Sequence, residues 1–256
     1  MERGLYTAGM GMNSMWANLG TIANNLANVD TPGYKKDEMV FSTLGKFEIS
    51  RLYDNFIETP IGASDPRPYV GPLEKGVCIS DVATIHTPGP FIHTENPFDL
   101  CINGDGYFVL EIENGERYTR NGSFRLNEEG FLVSLSGHKV LSTQNTPIKI
   151  TSPDFTITED GKVFVGQEEI AVLKIVDFEN KGNLKKVGKT LFATDDTPRS
   201  SSAQIKQGFL EKSNVEPVYE MVRMIEVQRL YEANQRVALS YDETLSKAIN
   251  DLGRVA

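Results

Sequence analysis

The sequence predicts an α+β fold in which N- and C-terminal α-helices with coiled-coil-like seams flank a central antiparallel all-β domain. Three observations carry this reading. Leu5, Ala8, Met12, Met15, Leu19, Ile22, Leu26 and Val29 recur at alternating spacings of three and four, the a/d pattern of a helix that needs a partner. Met224, Tyr231, Ala238, Leu245 and Leu252 recur every seven residues near the other end. Between them, short apolar runs are separated by glycine turns at roughly ten-residue intervals, the mark of an antiparallel sandwich or barrel. We divide the chain into an N-terminal helical segment (1–35), an extended connector arm (36–75), a central β domain (76–210) and a long C-terminal helix (211–256).

The first helix is expected over Leu5–Val29, about 36 Å long. Gly9, Gly11 and Gly20 weaken it as an isolated helix, since glycine loses the most backbone freedom on ordering. Pro32 and Gly33 stop it. Asn24, Asn25 and Asn28 cluster just before the stop. They fit either a fraying helix end or an amide ladder fixing a contact between subunits. Beyond Phe41, Pro60, Gly62, Pro66, Pro68, Gly71 and Pro72 punctuate the chain, so an arm with short strands is expected rather than a packed domain.

From Gly76 onward the pattern is β. Val77–Ile85 alternates, and two runs flank the turn Asn103-Gly104-Asp105-Gly106. Further turns are expected at Asn114-Gly115, Asn121-Gly122, Glu129-Gly130, Ser136-Gly137, Asp160-Gly161 and Val165-Gly166. Lys181–Gln204 is polar and reads as loop. Helix returns after Ser213 or Asn214 as N-cap, with Glu216 and Pro217 in the first turn, and runs over Val215–Leu252, about 57 Å. Its apolar row is accompanied by Met221, Gln228, Gln235, Asp242 and Ile249, a row that turns polar in its middle and so suits register selection. Val218, Val222 and Ile225 widen the apolar face near its start.

The 256 residues, 39% of them hydrophobic, suffice for one or two domains with a sizeable core. A net charge of −9 without a basic cluster disfavours a sequence-independent nucleic-acid binder. No apolar run is long enough for a membrane-spanning helix. The start lacks a basic region followed by an apolar one, so a cleavable secretory signal is not expected. The carboxylates Asp99 with Asp105, and Glu111 with Glu113, are the candidates for an acid–base pair, but neither pair has a supporting partner. His86, His93 and His138 lack metal-ligand spacing and read as surface or strand residues. Asn103–Gly106 lacks the further ligands of a calcium loop and the Lys-Ser/Thr of a phosphate loop. Cys78 and Cys101 read as two separate buried thiols, with a disulfide between them as the alternative, since sequence does not show the Cα approach a bridge requires. No cofactor is expected.

The motifs carry a resemblance to a family. Arg3-Gly4-Leu5-Tyr6-Thr7-Ala8, Gly11-Met12, Asn24-Asn25-Leu26-Ala27-Asn28 and Thr31-Pro32-Gly33-Tyr34-Lys35 stand at one end. Gly208-Phe209-Leu210-Glu211, Ser213-Asn214-Val215, Met224-Ile225-Glu226 and Gln228-Arg229-Leu230-Tyr231-Glu232-Ala233-Asn234 stand at the other. In the middle are Asn96-Pro97-Phe98-Asp99-Leu100, Gly104-Asp105-Gly106-Tyr107-Phe108, Tyr118-Thr119-Arg120-Asn121-Gly122-Ser123-Phe124 and Gly130-Phe131-Leu132-Val133. The chain thereby resembles the flagellar axial proteins, specifically basal-body rod proteins of the FlgF/FlgG type. Departures are small: Ala23 stands where serine is common, and Cys101 and Leu230 where alanine is. Asn214-Val215-Glu216-Pro217-Val218 is closer to the proximal-rod FlgF form than to the distal FlgG form.

The resemblance implies a non-enzymatic structural subunit whose terminal helices pack in the inner tube of the rod, with the β domain outside. Its implied partners are other copies of itself, other rod proteins and the flagellar type III export apparatus, and its implied location is the basal-body rod in the periplasmic space. The expected assembly interface is Leu5, Met12, Met15, Leu19, Ile22, Asn24, Asn25, Leu26 and Asn28 from the first helix. From the second it is Val215, Val218, Met221, Met224, Ile225, Gln228, Tyr231, Asn234, Ala238 and Leu245. A distal-rod or hook-like protein is the alternative within the class, and a secreted wall hydrolase is the alternative outside it.

Overall fold

The computed structural model describes residues 2–51, 57–59, 62–64, 68–113, 115–152 and 154–253. Pro60, Pro66 and Asn114 of the expected turns lie outside these residues. Helix α1 spans Glu2–Ala27 and helix α2 spans Pro217–Gly253, and between them the chain is almost entirely strand and turn. Two compact units result: one of Met1–Ile22, Met39–Val82 and Val222–Ala256, the other of Ala23–Glu38 and Ala83–Met221.

Both helices start and stop for local reasons. The C-terminal carbonyls of α1 would be left without donors. The Asn28 side chain answers one of them, donating to the Asn24 carbonyl at 2.8 Å, while the Asn28 amide bonds to Asn25 O. At α2 neither expected N-cap serves as one. Ser213 Oγ accepts from the Val215 amide, and Asn214 is committed to other segments. The first intrahelical bond runs from the Glu220 amide to the Glu216 carbonyl, with Pro217 in the first turn, where its missing N–H costs nothing.

In the second unit the strand Tyr107–Ile112 is central. Its run Tyr-Phe-Val-Leu is buried throughout, because alternate residues point to opposite faces and both faces are covered. Phe108 and Leu110 join Leu100, Ile102, Phe124, Leu132, Val140, Ile148 and Ile150 in one core. Tyr107 and Val109 join Tyr118, Leu141, Val176, Phe178, Leu184 and Phe192 in another. The strand belongs to a nine-stranded sheet whose main path runs Phe124–Leu126, Leu132–Ser134, Lys139–Val140, Tyr107–Ile112, Gly115–Thr119, Leu191–Ala193 and Lys185–Val187. Neighbouring strands along this path pair antiparallel.

Three local expectations are corrected here. Lys181–Gln204 is not loop-rich: it contributes Lys185–Val187, Leu191–Ala193 and Arg199–Ser200 to the sheet. The segment buries only Leu184, just before its first strand, and Phe192, too few apolar positions for the period to register in the sequence. Asn121-Gly122 is not a hairpin turn. Gly115–Thr119 pairs with Tyr107–Ile112 and Leu191–Ala193, not with the strand that follows. Gly122 instead lies against Leu100, whose amide donates to its carbonyl at 3.0 Å, and a Cβ there would sit 1.6 Å from the Leu100 oxygen. Finally, Val77–Thr84 does not join the central sheet; it pairs with Asp37–Thr43. Alternation reveals a strand but not its partner.

Inside that pair lie two further ones. Lys46–Ser50 pairs antiparallel with Tyr69–Glu74, and Ile57–Thr59 with Gly62–Ser64. The nested pairs make a two-stranded ribbon from the residues read as a connector arm. Phe47, Tyr69 and Val70 are more than half exposed on it, in an arrangement that is marginal in water by itself.

Candidate assembly faces and a buried clasp

Within the first unit α1 and α2 meet. Gly4 lies under the Tyr241 ring and Gly11 under the Asn234 side chain, where an added Cβ would stand 2.3 and 3.0 Å away. Trp16 approaches Tyr231, with ring centroids 6.3 Å apart. Contacts therefore advance along α1 as they retreat along α2, seven residues for seven, so the helices run antiparallel. The side of α1 that is most buried carries Ala8, Ser14, Asn18 and Ile22. It shares Ala8 and Ile22 with the expected seam but is rotated toward the row Gly4, Gly11 and Asn18. Small residues win that face because they let the Tyr241 and Asn234 side chains close on the α1 backbone. Leu5, Met12, Leu19 and Leu26 consequently stay exposed or half-buried.

The α2 seam is corrected likewise. Met224, Tyr231, Ala238 and Leu245 are half-buried, as an apolar row should be. Their companions are Glu220, Val227, Asn234, Tyr241 and Ala248, all buried or half-buried. The row containing Met221 and Gln228 is one residue further on, about 100° around the helix, and is exposed. A seven-residue repeat cannot by itself decide between adjacent rows when both mix apolar and polar residues.

The expected interface residues thus fall into three groups. Ile22, Asn25, Asn28 and Val215 are at most 6% exposed within their own chain. Met12, Met15, Leu19, Leu26, Met224, Tyr231, Asn234, Ala238 and Leu245 are half-buried, and Leu5, Asn24, Val218, Met221, Ile225 and Gln228 are exposed. Asn25 finds partners for both ends of its side-chain amide inside the chain. Its side chain donates to Asp37 O at 2.8 Å and accepts from the Tyr34 hydroxyl at 3.1 Å and the Asp37 amide at 2.9 Å. The asparagine cluster is neither a frayed end nor an open ladder at this position; Asn25 pins the turn after α1.

The outward side of α1 has a distinct chemistry. No charged residue occurs from Gly4 to Val29, whereas an ordinary surface helix carries a charged face. Trp16, the single tryptophan of the sequence, is 67% exposed and Tyr6 71%. Gly9 and Gly20 have nothing within 4 Å of an added Cβ, so the chain's own packing gives no reason for glycine at either.

Sequence reading missed a second constellation, in the other unit. Lys35 Nζ bonds to Glu211 Oε1 at 2.5 Å and to Thr87 O at 2.7 Å. Glu211 Oε1 also accepts from the Gly89 amide at 3.0 Å, and Arg120 Nη1 lies 3.4 Å from Oε2. Arg120 donates to Ile102 O and Gly104 O. None of the three charged side chains is more than 2% exposed. Burial holds the Lys35 amine below its ordinary pKa, opposed by the Glu211 carboxylate. Next to it, Lys186 bonds Asp37 Oδ2 at 2.8 Å and Lys35 O at 2.7 Å and lies over the Tyr34 ring. The Lys36 amide donates to Asn214 Oδ1, and Asn214 Nδ2 donates to Ile85 O. Gly33, with φ of 67°, donates to Glu211 O and lies against the Arg120–Asn121 backbone. Thr31–Lys35 and Gly208–Glu211 are therefore one clasp, not two separate motifs. The only sequence signal for it was charge inside otherwise uncharged or apolar motifs.

The other candidate groups are placed as follows. Asp99 is buried, and Asp105 pairs with Lys181 at 2.5 Å, which holds its carboxyl below the usual range. His86 is not a surface residue. Its Nδ1 shares a hydrogen bond with the Tyr107 hydroxyl at 2.8 Å, and its ring packs against that of Phe192. Cys101 is buried and Cys78 half-buried, and both are free.

Three family models match the chain: a flagella basal body rod protein model over residues 5–35, a flagellar hook protein FlgE/F/G D1 domain over 101–165, and a flagellar basal body rod FlgEFG C-terminal model over 206–252. Among curated relatives, the flagellar basal-body rod protein FlgG of Agrobacterium fabrum is 35% identical, covering 95% of this chain and 97% of its own. The FlgG of Bacillus subtilis is 32% identical over 98% and 99%. The flagellar basal-body rod protein FlgF of Caulobacter vibrioides is 32% identical over the full length of both.

Proposed function

Because the chain belongs to the flagellar basal-body rod protein family that includes FlgF and FlgG, we propose that it assembles with copies of itself and with other rod proteins through its terminal helices. It is a structural subunit of the basal-body rod, and the family is one of structural proteins rather than enzymes. On our reading, α1 and α2 of successive subunits complete the cover that each chain leaves unfinished and so form a tube that transmits torque. The exposed ribbon makes lateral contacts that stiffen it. The chain reaches the periplasmic space through the flagellar type III export apparatus. The Asn214–Val218 motif favours a proximal position in the rod, which locating the chain in isolated basal bodies checks.

One observation carries the assembly reading: the outward side of α1 is uncharged along its length and presents Trp16 at 67% exposure. Tryptophan is the residue type most enriched at the energetic centres of interfaces. A charge at the buried Ile22 would disrupt the subunit itself, so the test belongs on the outer face. Trp16→Asp with Leu19→Lys should leave the circular dichroism of the β domain unchanged and abolish rod assembly and swimming. Swimming at the wild-type level from this double variant would refute the assembly face.

A further inference from the structure

We propose that the Lys35–Glu211–Arg120 cluster is a folding interlock: the β domain closes only around residues 23–38, so a partner protein that holds this segment keeps the whole second unit unfolded. The cluster joins residues 176 positions apart in sequence. Segment 23–38 supplies one ion partner to each of two neighbours, Lys35 to Glu211 and Asp37 to Lys186. It also supplies the Gly33 amide to the Glu211 carbonyl and the Lys36 amide to Asn214. Asp37 Oδ1 accepts from the Thr84 hydroxyl at 2.8 Å. Without the segment, the buried Glu211 Oε1 and the Thr87 carbonyl lose their ammonium donor, and Lys186 loses its carboxylate.

Removing one partner from a buried ion pair costs far more than the pair contributes over an apolar substitute. The loss shifts a folding equilibrium by roughly a hundred- to a thousandfold. The cost does not fall on the segment alone. Glu211 ends the strand Phe209–Glu211, Arg120 Nη1 and Nη2 hold the carbonyls of Ile102 and Gly104, and those carbonyls flank the turn into the central strand. A tether that merely frayed would leave these strands intact, whereas a cluster spanning them transmits its loss. The N-terminal segment is therefore a structural member of the β unit.

The inference rests on the fold alone and is tested on the isolated full-length chain, so its failure would leave the assembly reading standing. In Lys35→Met, hydrogen exchange should accelerate by about a hundredfold not only in 23–38 but across Leu100–Asn103 and Tyr107–Ile112. Acceleration confined to 23–38 would overturn the interlock. Glu211→Gln leaves two buried cations facing each other and should open the unit further. Adding Lys35→Met to Glu211→Gln removes one of those cations and should recover part of the lost protection. If the double variant exchanges as fast as Glu211→Gln alone, or fails to fold equally, the ion-pair explanation falls. An antibody fragment against residues 23–38, added to the denatured wild-type chain before dilution, should block the return of exchange protection in Tyr107–Ile112. Unhindered refolding in its presence would overturn the holding mechanism.

Discussion

His86 lies against Tyr107 and Phe192, and its surroundings make it a monitor of acid stability. Burial, with help from the nearby cations Lys35, Lys181, Lys186 and Arg120, lowers its pKa to about 4. The unfolded chain binds a proton at the ordinary value near 6.5. Between these two values the unfolded state binds more protons, so stability is full above about pH 6.5 and declines as the pH falls toward 4. The contribution is up to about 3 kcal/mol by linkage. Urea melts at pH 7 and pH 4.5 should show the decline, and His86→Phe should flatten it; an unchanged slope would mean the proton is taken up elsewhere. Gly33 is constrained differently: at φ of 67° with backbone atoms 2.3 Å from an added Cβ, Gly33→Ala must move the segment that carries Lys35. A loss of more than about 2 kcal/mol in urea unfolding is expected. Asn25 and Glu211 show where residue-scale reading ends. The composition of their motifs drew attention to both, but the partners lie 12 and 176 positions away, and no local pattern encodes those distances.

At the scale of elements, helix and strand were legible wherever an apolar period was long enough. The α1 boundaries differ from expectation by a few residues, and α2 begins at Pro217, two residues later than expected. The faces were not legible. In each seam one row was read correctly and the other one residue away from where the chain packs it, because Gly4, Gly11 and Asn234 count against a seam in sequence yet favour close approach in three dimensions. Gly9 and Gly20 give a test of what the remaining face is for. Glycine within a helix costs roughly 0.8–1 kcal/mol relative to alanine, and neither position is crowded within the chain. Gly9→Ala with Gly20→Ala should therefore raise the helicity of the free chain, yet reduce assembly because the added methyl groups obstruct a neighbour's approach. Normal assembly of this variant, scored by the yield of rods in basal-body preparations, would show that no neighbour packs there.

For the whole molecule, the division of apolar burial is uneven. The second unit holds both large clusters, whereas Ala8, Ile22, Met39 and Val227 are the buried apolar residues among the described residues of the first. Local opening free energy follows buried apolar contact. Hydrogen exchange on the dilute chain should be fast along α2 beyond Met221 and slow in Tyr107–Ile112, and assembly should slow the former. Equal protection of the two in the dilute chain would contradict this link between apolar burial and local stability. The sequence by itself determined the class of the fold, the order of its elements and, through motifs at both ends and in the middle, the family. All of these rest on local periodicity, turn chemistry and residue identity along the chain. Only the tertiary structure decided which helix row is covered, that Val77–Thr84 pairs with the arm, and that the two terminal motifs meet in one buried ion cluster. Those outcomes depend on close approach between distant segments, where a missing side chain or a buried charge counts through its partner, and the partner is set by folding rather than by neighbouring residues.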